Sequence, residues 1–427
     1  MTHSQIKRRR SLIKFRKITV ASVIIGCLSA LLAVTLKHLT DQYEHRLFTQ
    51  ASLHPWLFVL LPFIGLGLIS LLREYLFEKK PNKGITEIFE CTQSKKKNLP
   101  AYKIPSHFFN GFLTVVFGGS TGIEVSTVVA SAAVGSVVQQ KANFFREYKT
   151  ELICAGVAAG ITALFNSPLA GIFFAYEVIS RKISKTFAWA VAVAIACTSV
   201  LLYYLAEPRL FDINPTGWYY RAVPYWLILG ILAALLSIYL TRCVLFFKSR
   251  FQPINARQRM VIGGAILSLS LLAFPALYGD GYHALKTMFI TPTTTLTLPV
   301  VCATLGVLLL KPIVTSATLA SGGDGGVFAP SLFLGAFLGW LSAMCANAFF
   351  GADVVPLNFM LVGMAAVLSA SIHAPLTAVF LVCGLTGNYV LFVPILGVSL
   401  LSKYVAKAVY PHTVYSIHKI AAQVPSR

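Results

Sequence analysis

A single carboxylate lies in a glycine-rich stretch between two apolar segments, at Phe117–Val129. A carboxylate inside a hydrophobic stretch is costly in a bilayer, so Glu124 marks a functional position. Glycines allow close approach of the backbone, and Ser126 and Thr127 open the next apolar segment as residues near a helix start do. The stretch predicts a broken helix whose positive N-terminal end binds an anion in a polar cavity. The alternative is a short surface loop that holds a glutamate.

A second glycine-rich stretch repeats the first. Residues Gly118–Ser126 match Gly322–Pro330 at a constant offset of 204, and Gly135 then falls on Gly339. Glycines before an apolar run suit a helix break. The repeat therefore predicts one such break in each half of the chain.

A second pair of breaks follows the first pair. Residues Gly156–Leu169 align without a gap with Gly363–Leu376, and Pro168 and Pro375 occupy the same position. Paired interrupted segments in two halves point to a transport site at the interface of the repeats. The alternative is chance matching of apolar segments, which two matched breaks in the same order make less plausible.

The composition indicates which kind of structural element surrounds these breaks. The 427 residues are 56% hydrophobic and 12% charged, whereas a soluble protein averages about 25% charged. Apolar runs of spanning length recur, so the sequence predicts an all-α polytopic membrane protein with no signal peptide. The net charge of +21 fits basic cytoplasmic loops better than nucleic acid binding. The eight cysteines are scattered singly, so we expect no metal site, disulfide framework or cofactor.

Basic residues set the predicted topology. The N-terminal segment 1–17 is basic and is placed in the cytoplasm, followed by a first span at 18–38 and a second at 55–72. The loop with Asp41, Glu44 and Arg46 is predicted to be external.

Further basic clusters place 104–140 and 150–180 between cytoplasmic ends. The second of these is too short for two spans, so it must hold short helices that turn back at Asn166–Pro168. Irregular backbone at membrane depth is tolerated only where protein or a water-filled cavity surrounds it. We expect one membrane domain over 18–418, with halves at about 18–205 and 224–418, and a short cytoplasmic tail at 419–427.

At these residues the sequence resembles the CLC family of chloride channels and proton-coupled chloride exchangers. The strongest matches are Gly325–Pro330 and Phe165–Gly171, the latter followed by Glu177. Gly122–Ser126 stands where the family has Gly-Arg/Lys-Glu-Gly-Pro, and Tyr415 matches the family's anion-contacting tyrosine. The resemblance covers nearly the whole chain, and we expect no regulatory domain after Tyr415.

The resemblance implies anion transport by a homodimer in the lipid bilayer, with one pathway per subunit. It implies two inverted halves with many tilted and broken helices, and a bacterial inner membrane location with both termini cytoplasmic. Glu124 would be the gate, plugging the pathway when ionised. The residues that the resemblance places at the anion are Lys83, Gly84, Ile123, Gly326, Val327, Phe328 and Tyr415.

Two departures from the family concern protons. Ile123 replaces the basic residue before the gate, which leaves Glu124 in a more apolar setting that favours its protonated form. The inner proton-relay glutamate of the exchangers falls at Val178, and Val178 cannot carry a proton. Glu177 matches a neighbouring acidic residue and is predicted to be structural. We therefore expect weak proton coupling or none.

A third departure concerns the anion itself. The family's motif Gly-Ser-Gly-Ile-Pro is best matched by Asn82–Thr86, so Lys83 replaces an anion-contacting serine. An ammonium there would tighten anion binding and suit a planar oxyanion such as bicarbonate or nitrate. The alternative is that Lys83 is one more lysine of a cytoplasmic loop.

Two other functions remain open at this point. A proton-coupled exchanger could use Glu177 or a water path in place of the missing acid. An intramembrane enzyme is disfavoured, because no His-Glu-x-x-His, Gly-x-Ser-x-Gly or paired intramembrane aspartates occur. Asp324 is predicted to cap a helix and His373 to be structural.

Overall fold

Sixteen α-helices occupy the residues that the structure, a computed structural model, describes: 3–78, 80, 82–94, 97–141, 147–290 and 296–416. The predicted tail at 419–427 lies outside these residues, and so does residue 418. The first eight helices are α1 (His3–Leu53), α2 (Leu57–Leu71), α3 (Ile85–Gln93), α4 (Lys103–Val116), α5 (Glu124–Lys141), α6 (Lys149–Phe165), α7 (Pro168–Phe174) and α8 (Lys185–Tyr204). The next eight are α9 (Val223–Phe251), α10 (Ala256–Ala273), α11 (Tyr282–Ile290), α12 (Leu298–Ala320), α13 (Phe328–Phe350), α14 (Pro356–Ile372), α15 (Pro375–Thr386) and α16 (Phe392–Val409).

The two sets of eight correspond helix by helix. Helices α3 and α11 have nine residues each, and α6 and α14 have 17 each. Helices α5 and α13 begin 204 residues apart, at Glu124 and Phe328. After α6 and α14 the chain breaks at Asn166 and His373, both left-handed with φ of 49° and 56°. The repeat, and both pairs of predicted breaks, are confirmed.

Glycines allow the same close helix crossing in both halves. A Cβ on Gly135 would collide with the backbone carbonyl of Leu152, and one on Gly339 would collide with that of Phe359. The reciprocal contacts also match, because Gly156 faces the carbonyl of Ser131 and Gly363 faces that of Gly335. Small residues let membrane helices pack backbone to backbone. Each half therefore contains one tightly crossed pair, α5 with α6 and α13 with α14.

Seven helices of the described chain are long and apolar enough to cross a membrane. They lie at Ile13–Leu53, Leu57–Leu76, Lys185–Tyr204, Tyr220–Phe251, Leu298–Ala320, Phe328–Phe350 and Phe392–Val409. Shorter apolar helices occur at Pro168–Ser180, Pro356–Ile372 and Pro375–Thr386, and their position at the breaks agrees with the prediction of short helices in the middle of the chain.

The first span differs from its prediction. Helix α1 continues to Leu53, so the predicted loop with Asp41, Glu44 and Arg46 is wrong. Charged residues of α1 have partners elsewhere in the protein, so the helix does not need to end at them. Lys37 forms a buried ion pair of 2.6 Å with Glu207, and Glu44 is buried against the segment around residue 279. A charge that is paired or faces a polar cavity is tolerated in a membrane helix.

Candidate functional site

Two helix N-termini meet where the glycine-rich breaks pair. Gly122 and Gly326 form an isolated antiparallel bridge, with 3.5 Å from the Gly122 nitrogen to the Gly326 oxygen. Helix α5 begins two residues after the first glycine, and α13 begins two residues after the second. The first N–H groups of a helix have no partner within it, and its N-terminal end is positive. The bridge therefore brings two sets of free donors to one place.

Hydroxyl groups hold the two breaks in register. The Ser120 N–H donates to Thr318 Oγ1 at 3.2 Å, and the Thr121 hydroxyl donates to the Asp324 carbonyl at 3.3 Å. The Asp324 N–H donates to Thr114 Oγ1 at 2.8 Å. Because each bond crosses between the halves, neither break can shift without the other.

Glu124 is the first residue of α5 and is 1% exposed. The hydroxyl of Tyr282 donates to its Oε1 at 2.7 Å, whereas Oε2 has no hydrogen-bond partner among the described residues. A Cβ on Gly122 would collide with Oε2, so a glycine is required for the carboxylate to fold back over the bridge. The gate predicted from the sequence thus lies against the paired breaks, with the Tyr282 hydroxyl as its side-chain partner.

Tyr415 and Gly84 complete the site from two other elements. The Tyr415 hydroxyl is buried without a described partner and lies 3.8 Å from the position that a Cβ on Gly326 would take. Gly84 precedes α3 with φ 61° and ψ −140°, a conformation essentially limited to glycine. Its Cβ position is 3.7 Å from Val125 Cγ1. Three helix N-termini and one hydroxyl therefore converge around Val125.

The remaining predicted anion-site residues belong to these N-termini. Ile123 precedes α5, Val327 is the N-cap of α13, and Phe328 is its first residue. All three side chains are buried, so the backbone N–H groups are the polar groups that they can offer. Phe328 also stacks on Phe165, at 5.7 Å between ring centroids, which ties the second glycine-rich break to the first proline break.

A family model described as voltage gated chloride channel matches residues 67–407. The chain belongs to the CLC family. Within that family it is 27% identical to a ClcB-like chloride channel protein of Ralstonia nicotianae, over 92% of this chain and 94% of that protein. It is 25% identical to the voltage-gated ClC-type chloride channel ClcB of Escherichia coli, over 95% and 99% of the two chains.

Solved structures show the same fold. A slow cyanobacterial Cl−/H+ antiporter matches with a TM-score of 0.80 at 22% identity, covering 96% of this chain and 99% of that one. A CLC-type fluoride/proton antiporter matches with a TM-score of 0.78 at 21% identity, covering 97% and 98%. The chain is accordingly a multi-pass membrane protein of CLC fold, and its activity is CLC-family anion transport.

The Lys83 side chain does not reach this CLC site. It is 53% exposed, and its ammonium lies 3.3 Å from Glu90 Oε1, on the outer face of α3. The ion pairs of Glu90 with Lys97 and, secondarily, with Lys83 hold the pKa of Glu90 below its usual range. The Lys83 N–H donates to Glu87 Oε1 at 2.6 Å, which turns the backbone toward the helix N-terminus and the side chain away from it. The geometry favours the alternative in which Lys83 is an ordinary surface lysine of its loop.

A different lysine, Lys103, is buried near the start of α3. Lys103 is 2% exposed, and its ammonium donates to Glu87 Oε1 at 2.7 Å and to Asn82 Oδ1 at 2.9 Å. The Asn82 amide in turn donates to Asp324 Oδ2 at 3.3 Å. This chain of contacts fixes the start of α3 to the second glycine-rich break.

Asp324 does not cap a helix, contrary to the prediction. The N-cap of α13 is Val327, and Asp324 Oδ1 instead accepts from the Gly325 N–H at 3.0 Å. Its Oδ2 lies 2.7 Å from Nδ1 of the buried His107. Asp324 is therefore a turn residue that contacts His107.

Val178, which the resemblance matches to a proton-relay position, and the neighbouring Glu177 lie in different surroundings. Val178 is buried and apolar. The Glu177 carboxylate accepts from the N–H groups of Leu376 at 3.2 Å and Thr377 at 2.8 Å, and from the Thr377 hydroxyl at 2.8 Å. Glu177 thus caps the N-terminus of α15, in agreement with the structural role predicted for it.

Sequence reasoning missed three residues near Glu124. Tyr282 donates to Glu124, Asp280 accepts from the Tyr282 N–H at 2.8 Å, and the fully buried Lys311 donates to the Gly279 carbonyl at 3.3 Å. Signals for them were present. Asp280 lies between two glycines just before a helix, and Lys311 is a charge inside the apolar α12, where a charge marks function or a specific partner.

Proposed function

We propose that this chain conducts an inorganic anion through the CLC fold under the control of Glu124. One observation carries the proposal: the Gly122–Gly326 bridge opposes the N-termini of α5 and α13, and the Glu124 carboxylate lies over the bridge. The Tyr415 hydroxyl lies beside it and has no hydrogen-bond partner among the described residues. Backbone N–H groups and a neutral hydroxyl replace part of an anion's hydration without holding it by a full charge.

The gate acts by competition. Ionised Glu124 is itself an anion at the mouth of two positive helix ends, so it occupies the place that a permeant anion needs. Protonation removes that attraction, and the side chain then leaves the pathway. Flux therefore rises as the pH falls.

Proton coupling is weak or absent in this proposal. An exchanger needs a proton path from the gate to the opposite side, and the position that supplies it in the family holds the buried Val178. Glu177 is already engaged at the N-terminus of α15. The second candidate, a proton-coupled exchanger, draws support from the titles of the matching structures, which name Cl−/H+ and fluoride/proton antiporters.

Chloride is the first anion to test, because the relatives from Ralstonia nicotianae and Escherichia coli are named chloride channels. A preference for bicarbonate or nitrate was inferred from an ammonium at Lys83. That ammonium is paired with Glu90 instead, so those anions enter as comparison substrates.

The assembly and location follow the family. We propose a homodimer with one pathway per subunit, a single membrane unit over 18–418, and a bacterial inner membrane in which both termini face the cytoplasm. The basic segment 1–17 supports that orientation. Transport, rather than intramembrane catalysis, accounts for the convergent helix N-termini.

The test is flux from liposomes that contain the purified protein. Chloride, fluoride, nitrate and bicarbonate are supplied in turn, and proton movement is followed at the same time. We expect chloride flux that rises at acidic pH, and a Glu124→Ala variant whose flux is independent of pH. Glu147→Ala, at an exposed side chain, serves as the control.

Two results would overturn the proposal. Flux of Glu124→Ala with the pH dependence of the unmodified protein would remove the gating role. A chloride gradient that drives protons against their own gradient would show a coupled exchanger.

A further inference from the structure

A charged vestibule leads from the surface to Glu124. Its cavity of about 550 Å³ lies between α1 and the segment at 275–286, and its lining includes His38, Asp41, Glu44, His45, Asp280 and Tyr282. A second cavity of about 20 Å³ shares Asp41, Asp280 and Tyr282 with it and is also lined by Glu124. A cavity of this second size holds about one water molecule when polar groups surround it. The vestibule thus reaches the gate through a space for a single water.

Three carboxylates and one ammonium are called here the vestibule cluster. Asp41 and Asp280 line both cavities, Glu44 lines the larger one, and Lys311 lies against the segment at 277–279. Asp280 is 3% exposed, Glu44 is 7% exposed and Lys311 is fully buried. The Lys311 ammonium faces both Asp280 and Glu44, and it donates to the carbonyls of Leu277 and Gly279.

The charges of the vestibule cluster do not balance. With Glu124 the region holds four carboxylates, of which Glu44, Asp280 and Glu124 are buried and Asp41 is half-buried, while Lys311 is the buried cation that faces Asp280 and Glu44. The other charged or titratable groups that face it are Lys37, His38, His45 and Arg46 of α1, Glu207 of the loop after α8, and His283 and Lys286 of α11. Glu207 already engages Lys37 at 2.6 Å and His38 at 2.8 Å. A surplus of buried carboxylates is relieved by shared protons.

A purely structural role explains only part of this arrangement. Asp280 Oδ1 caps α11 through the Tyr282 N–H, and Lys311 anchors the loop at residues 277–279. Glu44 also has a structural contact, because its carboxylate packs against Gly279 and accepts from the Asp280 N–H, whereas Asp41 takes part in none of these contacts. None of these contacts explains why the small cavity ends on Glu124, whose Oε2 has no hydrogen-bond partner in the described part of the chain.

We propose that Asp280, with Asp41 and Glu44, is a proton-binding site that loads and unloads Glu124 from the vestibule side. In the loading step the carboxylic acid of Asp280 gives its proton to a water in the small cavity. That water gives a proton to Oε2 of the Glu124 carboxylate. Asp280 is then a carboxylate, and it takes up a new proton that comes from the bulk solution through the water of the vestibule. Lys311 compensates the negative charge between the two transfers.

This proposal rests on the gating role proposed for Glu124, and its test separates the two. Liposomes receive a pH step on one side at a time, and the approach of anion flux to its new value is timed. Asp280→Asn keeps an oxygen that can accept from the Tyr282 N–H but cannot carry the proton. We expect a response at least about tenfold slower to a step on the vestibule side, and a normal response for the exposed Asp212→Asn.

The second part of the test combines Asp280→Asn with Glu124→Gln. Because the site acts through Glu124, Asp280→Asn adds nothing to Glu124→Gln in the double variant. A response of Asp280→Asn at the rate of the unmodified protein would overturn the proposal, as would a double variant that differs from Glu124→Gln alone.

Infrared difference spectra across a pH change give a readout that needs no transport. We expect a carboxylic acid C=O band that is lost in Asp280→Asn and shifted in Glu44→Gln. The Glu44→Gln variant also serves if Asp280→Asn does not fold. Spectra without any such change would refute the proton-binding site. A pH-dependent Glu124→Gln with the band present would refute only the gate.

Discussion

The hydroxyl of Tyr282 lies 2.7 Å from Oε1 of Glu124, and this bond joins the first residue of α11 to the first residue of α5. The two residues are 158 positions apart and belong to different halves of the repeat. The bond stabilises the carboxylate over the glycine bridge. Tyr282 therefore determines how firmly the proposed gate is held closed.

Removing this hydroxyl should loosen the gate. A hydrogen bond to a charged group contributes about 1.5–3 kcal/mol, which corresponds to about 10- to 100-fold in the equilibrium between held and released carboxylate. The bond stabilises ionised Glu124 in the pathway. Without it, in Tyr282→Phe, Glu124 becomes protonated and leaves the pathway at a higher pH than in the unmodified protein. We expect the pH of half-maximal flux to rise by about one to two units.

The control for this experiment is Tyr278→Phe. The Tyr278 hydroxyl also makes a bond of 2.7 Å, but its acceptor is the carbonyl of Val116. We expect its flux to keep the pH dependence of the unmodified protein. Identical curves for both variants would show that the bond to Glu124 does not hold the gate.

Lys83→Ser should leave anion selectivity and apparent affinity unchanged. The side chain is more than half exposed and paired with Glu90, and an exposed ion pair contributes at most about 1 kcal/mol to stability. Competition between chloride and nitrate in the flux assay measures this directly. A changed order of anions in Lys83→Ser would mean that the ammonium does reach the pathway.

Tyr415→Phe should weaken anion binding. Its buried hydroxyl has no partner in the described chain and lies beside Gly326. A hydrogen bond to a charged group such as chloride contributes about 1.5–3 kcal/mol, so the apparent affinity should fall about 10- to 100-fold. Isothermal titration of the detergent-solubilised protein with chloride checks this, and an unchanged affinity would exclude the hydroxyl from the site.

Glu177→Ala should lower the stability of the protein without changing proton movement during anion flux. The substitution removes the acceptor for the Leu376 and Thr377 N–H groups, and loss of a helix cap costs about 1 kcal/mol. We expect a lower midpoint of thermal unfolding, a smaller decrease for Glu177→Gln, and no change in proton movement during flux. Proton movement that disappears in Glu177→Ala would instead support the exchanger.

Gly84→Ala should damage the start of α3. At φ 61° and ψ −140° a non-glycine residue costs about 1–3 kcal/mol, so we expect a lower unfolding midpoint and weaker anion binding. Gly217→Ala is the matched control, since a Cβ there meets nothing within 4 Å. Equal behaviour of the two variants would contradict the assigned backbone conformation.

The helix breaks could be predicted because their signals are local. Glycine and proline interrupt helices through their own backbone chemistry, so Gly122, Gly326, Pro168 and Pro375 were sufficient to place the breaks and to reveal the repeat. The N-termini that follow them, and the position of Glu124 at one of them, came from the same local pattern.

The errors concern contacts between distant parts of the chain. Helix α1 continues through Asp41 in part because Lys37 finds Glu207, 170 residues away. Lys83 points outward because Glu87 and Glu90, on the helix that follows, attract its backbone and side chain. Tyr282 reaches Glu124 only through the pairing of the two halves. No periodicity within one segment encodes such partners.

The crossings at Gly135 and Gly339 have a consequence for how the two halves can diverge. At both crossings any side chain would collide with a backbone carbonyl of the neighbouring helix, so a change of volume there breaks the scaffold. No such limit acts on charge at the N-termini, where Glu124 and Phe328 occupy equivalent positions. The two halves therefore share one backbone framework, whereas only the first half carries an acidic side chain at the start of its helix.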